Sequence, residues 1–209
     1  MKAAQFFTPE EKERIRNTTH SVESRTDGEI AVMVVDQSDR YPEAEFLGGI
    51  IFGSLLSLVI SVIFFHDSLF VYIPLSFFLF FPFRWIGAAI PRLKLVFITL
   101  HRKEEAVRRR ALQAFYEKGL YKTRFNTGVL IFLSLLERKV WILADKGIHE
   151  KMTQESLNQF SREVSLGIKD GRACDSLCQA IEGIGKLLAD HFPLTPGDTD
   201  ELPDAVMTD

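Results

Sequence analysis

The chain has 209 residues, 25 Lys and Arg against 28 Asp and Glu, a formal charge of −3 and two cysteines. That length suits one ordinary domain with a full core. The composition excludes wholesale disorder, a disulfide scaffold, a four-cysteine zinc site and a dedicated nucleic-acid binder.

Thr8-Pro9-Glu10-Glu11 is a capping box with proline at the first helical position, and it predicts a helix that ends near Arg25. The stretch before it, MKAAQFF, has no apolar h-region, so no secretory signal peptide is expected. Thr26-Asp27-Gly28 then turns the chain into Glu29–Val35, EIAVMVV, whose β-branched run predicts a buried strand.

The composition changes at Phe46. Eighteen phenylalanines are many for this length, and they crowd between Phe46 and Phe97. Phe46 to Phe65 contains no charge, and at 1.5 Å per residue it extends roughly 30 Å, the hydrocarbon thickness of a bilayer. A second run from Leu69 to Phe83 reaches Ile90 if Arg84 snorkels to the interface. Only His66, Asp67 and Ser68 separate the two, which predicts a tight transmembrane hairpin. Pro74 and Pro82 should weaken the second helix, which leaves a kinked or a partly re-entrant segment as alternatives. Gly49, Gly53, Ser57 and Ser61 recur every four residues and form a small-residue stripe. Its expected partner is the second helix of the hairpin, or else another copy or another membrane protein.

Residues 84–110 carry Arg84, Arg92, Lys94, Arg102, Lys103, Arg108, Arg109 and Arg110 against Glu104 and Glu105. The positive-inside rule makes this flank cytoplasmic, and a hairpin returns both termini to that side. The expected location is the cell inner membrane, crossed twice. Residues 86–100 could form a third crossing, although Pro91, Arg92 and Lys94 favour an interfacial segment. Arg102, Lys103, Arg108, Arg109 and Arg110 should meet anionic lipid headgroups. No aromatic interleaving marks a nucleic-acid surface there.

Residues 101–118 read as a basic amphipathic helix closed by Gly119. Asn126-Thr127-Gly128 leads into a strand at Val129–Leu135. A Glu137-Arg138-Lys139 turn follows, then a hairpin strand at Val140–Ala144. Helices are expected over 147–158, 159–168 and 174–191. The acidic tail from 193 to 209 is expected to be disordered. The whole is a small α/β/α sandwich interrupted by a two-helix transmembrane hairpin. Residues 1–45 and 91–192 form the sandwich, and residues 46–90 form the hairpin.

The blocks TDGEIAVMVV, AFYEKGL and NTGVLIFLSLLERKVWILADKGI resemble the TPM domain family over about residues 8–36 and 101–192. That family includes thylakoid-lumen phosphatase-type proteins, a photosystem II repair protein and an auxiliary subunit of acetylcholine receptors. Its bacterial members include a subgroup with a membrane hairpin placed as here. The resemblance implies an α/β/α fold. Across the family it implies phosphatase activity, divalent-cation binding or chaperone-like help to membrane complexes.

If the first two strands are parallel, Asp27, Asn126, Thr127 and Asp145 share one edge of the sheet. Two carboxylates with amide and hydroxyl oxygens suit Ca²⁺ or Mg²⁺. The same residues also suit turns and a helix cap. Asp36 and Asp39 fall at the opposite edge. No phosphatase loop, HExxH or P-loop is present, and Gly183-Ile184-Gly185-Lys186 reads as helix packing. Cys174 and Cys178 read as buried thiols. These features imply a membrane-anchored binding, assembly or repair factor with a cation site, with a metal-assisted phosphatase at the membrane face as the alternative.

Overall fold

The computed structural model describes residues 2–66, 68–195 and 204–208. In chain order its elements are α1 (Pro9–Glu23), β1 (Glu29–Val35), α2 (Pro42–Phe65), α3 (Leu69–Ala89), α4 (Pro91–Lys94), α5 (Leu100–Glu117), β2 (Gly128–Ser134), β3 (Lys139–Ala144), α6 (Lys146–His149), α7 (Gln154–Lys169), α8 (Ala173–His191) and β4 (Met207–Thr208). They divide into two compact units, one of residues 1–38 with 105–209 and one of residues 39–104.

The first unit is the α/β/α sandwich expected from the sequence. Its sheet runs β3-β2-β1-β4. β1 lies parallel to β2, from Glu29 beside Gly128 to Val35 beside Ser134, and β3 returns antiparallel to β2. Both faces are covered, which is why β1 and β2 read as continuous apolar runs rather than alternating ones. Ile30, Val32, Val34, Val129, Ile131 and Leu133 pack with Ile15 and Val22 of α1, Leu157 and Val164 of α7, and Ile181 and Ile184 of α8. Ala31, Met33, Val35, Leu130 and Phe132 pack with Val107, Ala111, Ala114 and Phe115 of α5.

Two expectations need correction here. The helices expected at 147–158 and 159–168 are instead the short α6 and the longer α7, because Thr153 caps a new start by accepting from the Ser156 N–H. The tail is also not wholly without structure. Pro193 bridges to Thr26, and Met207 and Thr208 pair in parallel with Met33 and Val34 of β1. Without β4, this side of β1 would be an open sheet edge with unpaired backbone groups. Val206 and Met207 bring apolar side chains to the two cores, a local pattern that the tail's acidic average conceals. The expectation of disorder for 196–203 and for Asp209 lies outside the described residues.

Gly128 opens β2 for a steric reason. A Cβ there would lie 2.3 Å from the Leu120 carbonyl oxygen. Gly183 and Gly185 serve helix packing as expected, with Phe160 and Val22 filling the space a side chain would need.

The second unit is the hairpin. α2 starts at Pro42, four residues before the uncharged run, because Tyr41 adopts a left-handed conformation (φ 53°) that reverses the chain and Pro42 then supplies the first helical position. α3 continues through both Pro74 and Pro82. The two helices are long and apolar enough to cross a membrane, with mean hydropathy 2.4 and 1.7. Gly49, Gly53, Ser57 and Ser61 are buried on the α3 side of α2. A Cβ on Gly53 would lie 3.0 Å from the Phe80 nitrogen. The Ser57 hydroxyl donates to the Tyr72 carbonyl at 2.8 Å, and the Ser61 hydroxyl donates to the Ser68 carbonyl at 3.1 Å. The stripe is thus filled by the other arm of the hairpin. Residues 86–100 form no single long apolar helix; they hold the end of α3, the single turn α4 and the start of α5. Lys94 is buried in that turn, its Nζ 2.6 Å from Glu45 Oε1 and 3.0 Å from the Arg40 carbonyl.

Candidate functional site

The parallel pairing brings Asp27, Asn126, Thr127 and Asp145 to one edge of the sheet, as the sequence predicts. Each, however, has a local task. Asp27 is buried, and its Oδ1 accepts the Thr195 N–H at 2.7 Å. The Thr127 hydroxyl donates to the Asp27 carbonyl at 2.7 Å, which ties the two strand starts together. Asn126 takes a left-handed conformation (φ 56°), a region that asparagine tolerates, and its carbonyl accepts the Gly147 N–H at 3.1 Å. Asp145 caps α6, with Oδ1 accepting the Lys146 N–H at 2.7 Å. Its Oδ2 is buried with no hydrogen-bond partner among the described residues. Among the described residues, no three His, Cys, Asp or Glu side chains gather in a way that could hold a metal ion.

A second acidic group went unnoticed in the sequence because its members are far apart there. Glu23 at the end of α1 accepts the Ile30 N–H at 2.8 Å and lies against Asp204, with Glu29 near by. Burial, then the neighbouring carboxylates, push the Glu23 carboxyl up to about 9 in spite of the Ile30 N–H. His20 Nδ1 sits 3.3 Å from the other Asp204 oxygen. Only the docked tail brings Asp204 here, so no spacing rule could have found it.

At the opposite end of β1 and β2, Glu137 is buried and accepts from the Ser38 N–H at 3.1 Å and from the Ser134 hydroxyl. The Ser38 hydroxyl donates to Ser134 Oγ at 2.8 Å. Both serine hydroxyls therefore donate within the fold, and Ser134 is closed to solvent. This arrangement suits a strand-end clamp better than a nucleophile. A concavity of about 750 Å³ opens along α1, lined among others by Glu10, Glu13, Arg14, Arg25 and Glu182. Its walls carry both signs of charge. Cys174 and Cys178 are free and buried, and burial with the neighbouring Cys178 holds the Cys174 thiol up at about 11. A thiol held protonated is a poor nucleophile.

The basic flank divides into two groups. Arg102 Nη2 lies 2.7 Å from Asp39 Oδ2, its Nε lies 3.0 Å from Glu43 Oε1, and its guanidinium stands over the Tyr41 ring at 5.3 Å. Asp39 and Arg102 hold each other charged: the carboxyl is lowered and the guanidinium raised by their hydrogen bond. Arg110 pairs with Glu117 at 3.1 Å. These two arginines are among those expected to meet lipid headgroups; Arg102 pairs with carboxylates seven and three positions before the uncharged run, and Arg110 with one two helical turns onward. Arg108 and Arg109 are exposed and Lys103 is half-buried.

Residues 92–187 match the family model described as TPM domain. The chain is similar to the BA42 protein of the psychrophilic bacterium Bizionia argentinensis, known from an NMR structure. The TM-score is 0.62 at 21% identity, and the alignment covers 100% of this chain and 99% of that one. No curated protein matches. The span matched by the family model begins at α4 and ends inside α8, so α1 and β1 lie outside it. They complete the same fold through the parallel β1–β2 pairing.

Proposed function

From the match of residues 92–187 to the TPM domain model and the two preceding helices long and apolar enough to cross a membrane, we propose that this chain is a membrane-anchored binding protein that assists the assembly or repair of a membrane complex. The anchor is the α2–α3 hairpin, in the cell inner membrane, with the domain and both termini on the cytoplasmic side. The observation that carries this reading is the outward face of the hairpin. Phe70, Ile73, Phe77, Phe78, Phe81 and Trp85 of α3 are all exposed, more apolar surface than a soluble monomer tolerates. Lys103, Arg108 and Arg109 then supply the anionic-lipid contact.

The test is fractionation of the full chain, with alkaline extraction and thiol labelling from either side of the membrane. Retention after extraction with label only on the cytoplasmic side is expected for Gln159→Cys. Release by alkali would refute the anchor. Photo-crosslinkers at Phe77 and Phe81 then ask whether a membrane protein lies on the hairpin.

One observation favours a second reading, a divalent cation at the Asp27–Asp145 edge, on which a phosphatase activity would depend. Asp145 Oδ2 is buried without a donor among the described residues, and a carboxyl oxygen so placed favours a hard cation partner. A Ca²⁺ or Mg²⁺ titration read by thermal shift, with Asp145→Asn alongside, decides it. A saturable rise lost in the variant supports the cation, and no rise with either ion removes it.

A further inference from the structure

The segment that leaves α5 carries a surface unlike the rest of the domain. The helical period that buries Ala111, Ala114 and Phe115 in the core turns Leu112 and Tyr116 outward, 46% and 57% exposed. The following turn buries Leu120 and leaves Tyr121 and Phe125 out, 42% and 40% exposed. These side chains are interleaved with cations. Lys122 Nζ stands 5.6 Å from the Tyr121 ring centre, the Arg124 guanidinium stands 5.1 Å from that of Phe125, and the Tyr116 and Tyr121 rings lie 5.3 Å apart. Residues 118–125, KGLYKTRF, hold three cations and no acid. The preceding acid, Glu117, is paired with Arg110 and Gln113.

We propose that this face, from Leu112 to Phe125, is a lipid-docking surface on which the TPM domain lies against an anionic bilayer. The proposal rests on the membrane-anchored reading given above and names a contact that reading does not require. Two physical arguments choose lipid as the occupant. Tyrosine and phenylalanine with flanking Lys and Arg match a bilayer interface, where the rings sit at headgroup level and the cations meet phosphates. The surface is also tethered, since Leu112 follows the hairpin's α3 by only 23 residues, and a tethered surface meets its own bilayer at high effective concentration.

The test uses the full chain in nanodiscs containing headgroup-nitroxide lipid, made from phosphatidylcholine alone or mixed with phosphatidylglycerol. A fluorophore at Gln113→Cys reports this face, one at Gln159→Cys reports α7, and one at Phe70→Cys reports the hairpin. The expected result is quenching at position 113 but not 159, stronger in anionic discs and weakened by salt. Lys118→Gln with Lys122→Gln should lower the docked fraction ratio about thirty-fold. Tyr116→Ser with Tyr121→Ser should abolish docking while far-ultraviolet circular dichroism is unchanged. Absent or charge-independent quenching at 113 with strong quenching at 70 overturns the proposal and leaves the anchor standing. Loss of quenching at both 113 and 70 overturns the anchor as well. Quenching absent from every bilayer, with position 113 instead crosslinking to an acidic protein, also overturns it.

Discussion

Thr195 donates its backbone N–H to Asp27 Oδ1 at 2.7 Å, closing the segment after α8 onto the start of β1. The Thr26 hydroxyl and the Asp27 N–H reinforce the closure by donating to the Phe192 carbonyl at 2.6 and 3.1 Å. Asp27→Ala removes the side-chain acceptor of the half-buried Thr195 N–H and should cost about 1–2 kcal/mol. Asp27→Asn keeps an acceptor at Oδ1 and should cost less than half as much. Denaturant melts of the two variants, compared at equal m-value, check the difference.

The Glu23 carboxyl, held up at about 9, keeps its proton through neutral pH. That proton supplies the donor that the buried Glu23 Oε2 and Asp204 Oδ1 otherwise lack. In the unfolded chain the same group ionises near its ordinary value of 4.5. The folded state therefore binds the extra proton between about pH 4.5 and 9, so stability is fully present below that window and is lost as pH rises through it. Melting temperature should fall from pH 5 to pH 9. Glu23→Gln still accepts the Ile30 N–H and should flatten that slope; a slope unchanged in the variant would place its origin elsewhere.

Gly48 and Gly53 both lie on α2 but should answer differently to alanine. A Cβ at Gly48 would meet Phe97 at 3.6 Å, an ordinary contact, whereas one at Gly53 would press on the α3 backbone at 3.0 Å. Gly53→Ala should destabilise the hairpin by about 1–3 kcal/mol. Gly48→Ala should be close to neutral. Steric-trap unfolding in bicelles measures both.

Lys94 and Glu45 form a buried pair, with side chains 7% and 16% exposed and 2.6 Å between them. Lys94→Met leaves a buried carboxylate and should cost about 3 kcal/mol. Removing both charges with Glu45→Leu should recover most of that loss. A double-mutant cycle on the purified protein separates the pair's coupling from the cost of the orphaned charge.

The sandwich was legible because its signals are local. Thr8 and Glu11 announce α1, Glu29–Val35 carries a β-branched run, and Gly128 marks the start of β2. The hairpin was legible for the same reason, and its Gly49–Ser61 stripe even indicated which face turns inward. The tail strand was not. Met207 and Thr208 pair with β1 through backbone groups, and nothing in a two-residue strand has a period to detect. Asp204 beside Glu23 depends on that docking and was hidden with it. The N-terminal sheet edge was predicted correctly as a neighbourhood. What the sequence could not supply was where each lone pair points, and Thr195 on Asp27 with Lys146 on Asp145 changes the chemistry that edge can do.

The parallel pairing of β1 with β2 joins residues 29–35 to residues 128–134 across the whole hairpin. During synthesis β1 emerges first and has no strand to pair with until about ninety residues later. Its six apolar positions, Ile30 to Val35, must wait, exposed, while α2 and α3 are made. If α2 and α3 cross a membrane as proposed, a chain that inserts only one of them would strand β1 and β2 on opposite sides of the bilayer, and the central ladder could never form. On that reading, completion of the sheet would act as a check on insertion: only molecules whose hairpin has gone in and come back could pair β1 with β2 and fold their domain.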